Sequence, residues 1–310
     1  MTQESLLAQD VVYSLCVAPD DSQLCLAAKQ SSLQRSIDGG RTWQSVILNP
    51  ANEVQPAVTA ITIAPGPDEA LHFMAGVVDG VSISKDGGVN WTVTALATPR
   101  PFVTALAASP DYANDGMAFA ATLEDGVFRT EDYGATWRQW GFGLFDLHVM
   151  GLAVSPNFSL DGTVFAVTES GIYRSRTRGR SWQVTSFPPE AAPVLCVAMS
   201  PDFSQDNRLY AGTERSGLYY SEDGGQSWQR TTQPAATDSI NAILLDSRHH
   251  ILVMTDQDLW ISENAGGSWS RRNTETDFSA SLTAALAPQG LAASNPLLLG
   301  LADGRIVTIT

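Results

Sequence analysis

The chain has 310 residues, of which 44% are hydrophobic and 16% charged, with a formal net charge of −15 and a pI near 4.5. That length can bury a large core, and so acidic a surface repels phosphate backbones, which argues against nucleic acid and anionic membranes as partners. No stretch approaches the roughly 20 apolar residues of a membrane helix, so no membrane insertion is expected. The N-terminal segment lacks a basic start followed by an apolar run, and a cytoplasmic location is the default expectation. Cys16, Cys25 and Cys196 are too few for a disulfide framework. Small buried thiols are expected, with a Cys16–Cys25 bridge across a hairpin as the alternative.

From residue 12 onward one element recurs. It occupies 12–19, 58–65, 103–110, 149–156, 194–201, 240–246 and 282–288, giving seven copies. Apolar alternation marks each as a strand, here strand A. Counting back from the closing proline, one column is bulky (Leu15, Ile61, Leu106, Leu152, Val197) and its neighbour small (Ser14, Ala60, Ala105, Gly151, Cys196). Neighbouring columns point to opposite faces of a strand, which suits the crowded axis of a ring. Two further strands follow each copy. In the third repeat they cover 117–122 and 126–130, joined by a turn through Glu124 and Asp125.

A second pattern, Ser/Thr-x-Asp-x-Gly-x-x-Trp, follows six of the seven copies. Its Asp and Trp positions are Asp38 and Trp43, Asp86 and Trp91, Asp132 and Trp137, Thr177 and Trp182, Asp223 and Trp228, and Asn264 and Trp269. The first residues are spaced by 48, 46, 45, 46 and 41, the size of a four-stranded propeller blade. The Asp sits in the turn between strands C and D, where a carboxylate accepts hydrogen bonds from turn amides. Thr177 and Asn264 replace it in two copies and retain an oxygen for that role. No helical periodicity is read anywhere.

The expected fold is therefore all-β: a single seven-bladed β-propeller of four-stranded antiparallel blades. The blades cover approximately 12–48, 58–97, 103–142, 149–187, 194–233, 240–274 and 282–310. The last lacks a box and a fourth strand, and residues 4–8 are expected to supply that strand and close the ring.

The box resembles the Asp-box, or bacterial neuraminidase repeat, of sialidases, sortilin-type receptor domains, xyloglucan hydrolases and photosystem II assembly factors. The resemblance covers nearly the whole chain and implies the propeller fold, while the box itself is a scaffold device. Sialidases carry an arginine triad and an Arg-Ile-Pro motif, neither of which is found here. Xyloglucan hydrolases place acid and base aspartates between two propellers, a cleft that one propeller lacks.

No nucleotide-binding loop, metalloprotease motif, nucleophile elbow or zinc-spaced Cys/His cluster is present. No catalytic residue, cofactor or metal is expected. The loop around Asp111 and Asp115 has some calcium-ligand character, but a copy around Asp161 argues for a repeated structural loop. His249 and His250 fall in a predicted A–B turn.

Antiparallel connectivity puts A–B and C–D turns on one face, and B–C turns and D–A connections on the other. The B–C turns carry Asp79, Glu124, Asp125, Glu169, Glu214, Asp256, Asp258 and Asp303, predicting an acidic rim. The connection 140–148 adds Trp140, Phe142, Phe145 and His148, the composition of a binding hot spot. On the other face Arg176, Arg178 and Arg180 form a small basic spot around the degenerate box, while Arg174 shares a repeat column with Arg35 and Arg129. The expected function is a non-catalytic, protein-binding or scaffold propeller whose partner docks on the acidic rim. The alternative is a carbohydrate-active or glycan-binding propeller.

Overall fold

The computed structural model describes residues 10–51, 54–96, 101–233, 238–272 and 278–309. Seven antiparallel sheets follow one another along the chain as the blades of a propeller. Their innermost strands are Val12–Ala18, Val58–Pro65, Val103–Ala108, Val149–Val154, Val194–Met199, Ala242–Leu245 and Leu282–Leu286. In six sheets strands A, B, C and D are neighbours in chain order, and the seventh has three strands among the described residues. The fourth strand expected there from residues 4–8 lies outside the described residues.

The apolar core is a set of layers between blades. Strand B of blade three, Ala118–Thr122, is wholly buried because both of its faces are covered. Ala118 and Ala120 join a cluster with Met74 and Val81 of blade two, whereas Phe119 and Ala121 join one with Val164 and Ala166 of blade four. Alternation along a strand thus assigns successive residues to opposite neighbours. The same packing closes the ring: Val12, Leu15 and Ala27 of blade one cluster with Ala284, Leu286 and Leu298 of blade seven.

Polar bonds repeat at the same junctions. Thr59 Oγ1 donates to the carbonyl of Val103 at 2.6 Å, and Thr104 Oγ1 to that of Val149 at 2.6 Å. Both threonines follow the first residue of strand A, where a register shift in the A–B pairing releases them from the regular pleat. Farther out, Arg129 Nη1 reaches the carbonyl of Arg178 at 2.5 Å, and Arg174 Nη1 that of Gly224 at 2.7 Å. Arg129 and Arg174 of strand C are therefore blade-to-blade ties. Burial lowers the pKa of Arg174 to about 10, with Arg176 adding to the effect.

The box turns are held by a dense hydrogen-bond set. Asp38 Oδ1 accepts from Arg41 N at 3.0 Å and Thr42 N at 2.9 Å, and Oδ2 from Thr42 Oγ1 at 2.6 Å. Ser36 Oγ donates to Asp38 at 2.7 Å and accepts from Gly40 N at 2.8 Å. Gly40 has φ of 88°, and a Cβ there would lie 2.4 Å from Leu298 Cδ1 of blade seven, so both backbone and packing require glycine. In the degenerate turns Thr177 Oγ1 accepts from Ser181 N at 2.9 Å, and Asn264 Oδ1 from Ser268 N at 2.8 Å. The residue before the tryptophan, to which the sequence reading gave no role, supplies the second carboxylate oxygen with its donor.

Three single-turn α-helices interrupt the β architecture. They are α1 (Tyr112–Asp115), α2 (Phe158–Asp161) and α3 (Phe203–Asp206), in the A–B connections of blades three, four and five. Four residues are too few to carry a hydrophobic periodicity, so these turns leave no helical signal in the sequence. Each carries a buried aromatic, and Phe158 meets Phe119 edge-on at 5.7 Å between centroids. The closing aspartate of α1 accepts from Ser109 Oγ at 2.8 Å and Met117 N at 2.9 Å, and the other two helices repeat the arrangement. All three cysteines are free thiols. Burial pushes Cys25 up to about 11 and Cys196 up to about 12.

Candidate partner-binding face

The B–C turns meet the entrances to strand A on one face. Leu123 N donates to Phe102 O at 3.0 Å, Glu214 N to Pro193 O at 3.1 Å, and Ala302 N to Ser281 O at 2.9 Å. Asp79, Glu124, Glu169, Asp256 and Asp303 are exposed there, and Asp125, Glu214 and Asp258 are half-buried. Some have partners: Glu214 lies 3.5 Å from Arg215, Asp303 2.8 Å from Arg305, and Asp258 contacts Arg271. Asp256 accepts from Asn241 Nδ2 at 2.7 Å. Among the described residues no ion pair involves Asp79, Glu124, Asp125 or Glu169.

The 140–148 connection divides into an anchored half and a presented half. Trp140 is half-buried, with the Arg129 guanidinium 4.9 Å from its ring centroid. Its carbonyl accepts from Trp182 Nε1 at 3.1 Å, and that of Phe142 from Trp182 N at 2.8 Å. Gly143, at φ of 83°, passes so close that a Cβ would lie 2.2 Å from the Trp182 carbonyl oxygen. Leu144 is buried, whereas Phe142 and Phe145 are 82% and 88% exposed.

Two bonds set Phe145 between blades three and four. Gly126 N, in the blade-three turn, donates to Leu147 O at 3.0 Å. Ser170 N, in the blade-four turn, donates to Asp146 Oδ2 at 2.7 Å. Burial pushes the Asp146 carboxyl up, but hydrogen bonds from Ser170, His148 and Thr168 outweigh it and hold the group below its ordinary value. His148 Nδ1 lies 3.5 Å from Asp146 Oδ1. The structure thus groups Phe145 and His148 with the turns bearing Glu124, Asp125 and Glu169. Phe142 lies toward the outer strand of blade four. Asp79, Glu214 and Asp303 lie around the rim, on the turns of blades two, five and seven. Asp146, absent from the sequence-based candidates, is the residue that fixes this arrangement, and a lone Asp in a loop gives no signal of such a role.

The opposite face is more tied down than its charge suggested. Arg178 donates to Ser159 O at 2.8 Å and covers Phe158, Arg180 lies 3.5 Å from Glu131, and Arg176 is exposed. His249 is 3.4 Å from Asp202, and His250 is 3.0 Å from Asp246. Among the described residues no three His, Cys, Asp or Glu side chains come together as a metal site. No described helix is long and apolar enough to cross a membrane.

The chain is a seven-bladed β-propeller with Asp-box repeats. The model of the BNR/Asp-box repeat matches residues 219–230, within blade five. Among solved structures, YCF48 from Cyanidioschyzon merolae is similar at 13% identity and a TM-score of 0.70, over 98% of this chain and 96% of that one. A structure of YCF48 bound to D1 peptide is similar at 15% identity and a TM-score of 0.72, over 98% and 95%. The GH74 xyloglucanase from Xanthomonas campestris is similar at 16% identity and a TM-score of 0.73, over 97% of this chain and 52% of the enzyme. The chain thus spans about half the length of that hydrolase. At these identities the likeness is one of fold. No curated protein sequence matches the chain.

Proposed function

We propose that the chain is a non-catalytic, protein-binding or scaffold propeller, and that its partner docks on the face of the B–C turns. The observation that carries this reading is Phe145, 88% exposed between two turns whose carboxylates Glu124, Asp125 and Glu169 have no ion-pair partner among the described residues. Exposed apolar surface rimmed by charge marks an interaction site, and this one suits a protein segment with basic residues around an apolar anchor. That a propeller of this shape is known bound to D1 peptide supports a peptide-binding role. Among the described residues each carboxylate with a shifted pKa is lowered, whereas a glycosidase acid is a carboxyl held protonated by a raised pKa.

The test is parallel affinity capture from the source cells, with cross-linking and identification by mass spectrometry. The wild type is compared with Phe142→Ser/Phe145→Ser, Glu124→Lys/Glu169→Lys and Arg176→Glu/Arg178→Glu. A protein captured by the wild type and the arginine variant, and lost from the first two, supports the reading. Capture lost only from the arginine variant places the working surface on the opposite face and overturns it.

A further inference from the structure

Blade five lacks the arginine tie that joins blades three and four to the blades after them. The strand C column carries Arg129 in blade three and Arg174 in blade four, each bonded to a carbonyl of the next box turn. In blade five the column holds Tyr220, and the corresponding carbonyl, that of Ala265, accepts instead from the hydroxyl of Tyr210 at 3.1 Å. Tyr220 lies opposite Tyr210 in the sheet and donates outward to Gln229 Oε1 at 2.8 Å.

The box of blade six is correspondingly loose. In four of the other boxes a Cβ on the glycine two residues after the Asp position would lie 2.1–2.9 Å from a side chain of the preceding blade, and at Gly88 it would lie 2.8 Å from Phe73 of its own blade. At Gly266 the nearest atoms, on Ile251, Trp269 and Tyr210, are all 3.8 Å away. Between blades five and six lies a groove of about 630 Å³, walled by Tyr210, Tyr220 and Trp269. Trp269 Nε1 is buried without a hydrogen-bond partner among the described residues. Along one side Arg208 and Glu222 form a 2.8 Å ion pair, 36% and 53% exposed, and Arg230 also lines the groove.

Volume alone does not distinguish this groove. The one between blades four and five encloses about 620 Å³, but Arg174 and Arg176 line it together with hydroxyls and backbone. Such a wall suits an anion. The blade-five groove instead combines aromatic faces with a polar edge in which Arg208 is paired to Glu222 and Arg230 joins Thr231, Thr232 and Gln233. A pyranose has the complementary surface: a face of C–H groups that rests on an aromatic ring, and a perimeter of hydroxyls that both donate and accept.

We propose that the groove between blades five and six binds a short neutral oligosaccharide. The ring face stacks on Tyr220 and Trp269, and the hydroxyls bond Arg208, Glu222 and the polar side chains of the blade-six box. The site lies on the box side of the ring and is independent of the rim reading above, so either stands if the other fails.

The test titrates the whole chain with cellotetraose, xylotetraose, maltotetraose and chitotetraose by calorimetry and tryptophan fluorescence. Saturable binding of at least one at millimolar concentration or below is expected. The double substitution Tyr210→Phe/Tyr220→Arg copies the Phe165–Arg174 pair of blade four, so it suits the fold, and it removes the half-exposed Tyr220 ring from the wall. It is expected to weaken binding about tenfold or more while keeping the wild-type melting profile. Glu124→Lys/Glu169→Lys is expected to leave sugar binding intact. If the double variant fails to fold, Tyr220→Ala alone gives the same readout from a half-exposed position. The proposal is overturned if none of the four sugars binds saturably, or if the Tyr220 variants bind like the wild type.

Discussion

The carboxylate of Asp146 holds the backbone N–H of Ser170 at 2.7 Å, so a side chain leaving blade three fixes the B–C turn of blade four. It also accepts from His148 N at 3.0 Å, drawing the 144–148 segment over the blade junction. Replacing Asp146 by Ala leaves both amides without this partner while Phe145 keeps its own chemistry. We expect faster hydrogen exchange at Ser170 and His148, and a partner off-rate close to that of Phe145→Ser. Unchanged exchange at both amides would show that the loop is positioned by something else.

The box carboxylates give the fold an acid limit. Asp86 is held at about 2 by its bonds to Asn90 and Ser84, against 3.8 for the free group. Asp223 is also held at about 2: burial raises it, but the bonds from Ser227, Ser221 and Gln226 outweigh that. The folded state therefore binds its protons less readily than the unfolded chain. The stabilisation is present above about pH 4 and is lost as pH falls toward 2. Melting temperature followed from pH 5 to pH 2 should drop steeply across that window, and Asp86→Asn/Asp223→Asn should flatten the drop.

Removing one box carboxylate should destabilise without touching either candidate surface. Asp132 accepts from Thr136 N at 2.8 Å, Thr136 Oγ1 at 2.6 Å and Thr130 Oγ1 at 2.7 Å. Asp132→Ala is expected to cost about 1–2 kcal/mol in denaturant unfolding, the range for leaving partly buried partners unpaired. Asp132→Asn should cost less, because Asn264 shows that an amide serves in the same turn.

The inner ring offers a second stability test. Thr104→Val keeps the shape of the side chain but leaves the Val149 carbonyl without its 2.6 Å donor. About 1 kcal/mol should be lost, and Thr59→Val should behave alike. Because the two junctions differ, the double variant should show roughly the sum. No change in either would mean that water replaces the hydroxyl.

The ring was legible in the chain because its signals repeat. Seven strand-A copies and six boxes each reinforce the others, and the alternation in Ala118–Thr122 is the same alternation that divides its side chains between blades two and four. The rim carboxylates followed from connectivity alone. What escaped were features local to a few blades or dependent on distant contacts. Helix α1 is one turn long, and its Ser109–Asp115 bond is visible only once Ser-Pro-x-aromatic-x-x-Asp is aligned across three blades. The inward turn of Trp140 depends on Arg129 and Trp182, the latter 42 residues away. Nothing within the loop itself separates that tryptophan from the exposed Phe142 and Phe145.

The strand-borne donors Thr59, Thr104, Arg129, Arg174 and Tyr210 all reach forward, to a carbonyl of the blade that follows them in the chain. This gives the ring a polarity that its circular outline conceals. A ribosome making the chain from its N-terminus releases blades two to five with these donors unsatisfied until the next blade arrives, and that arrival completes the older one. The growing end is always the least finished part, and consolidation trails synthesis by one repeat. An insertion between two blades would accordingly weaken the blade before it more than the blade after it.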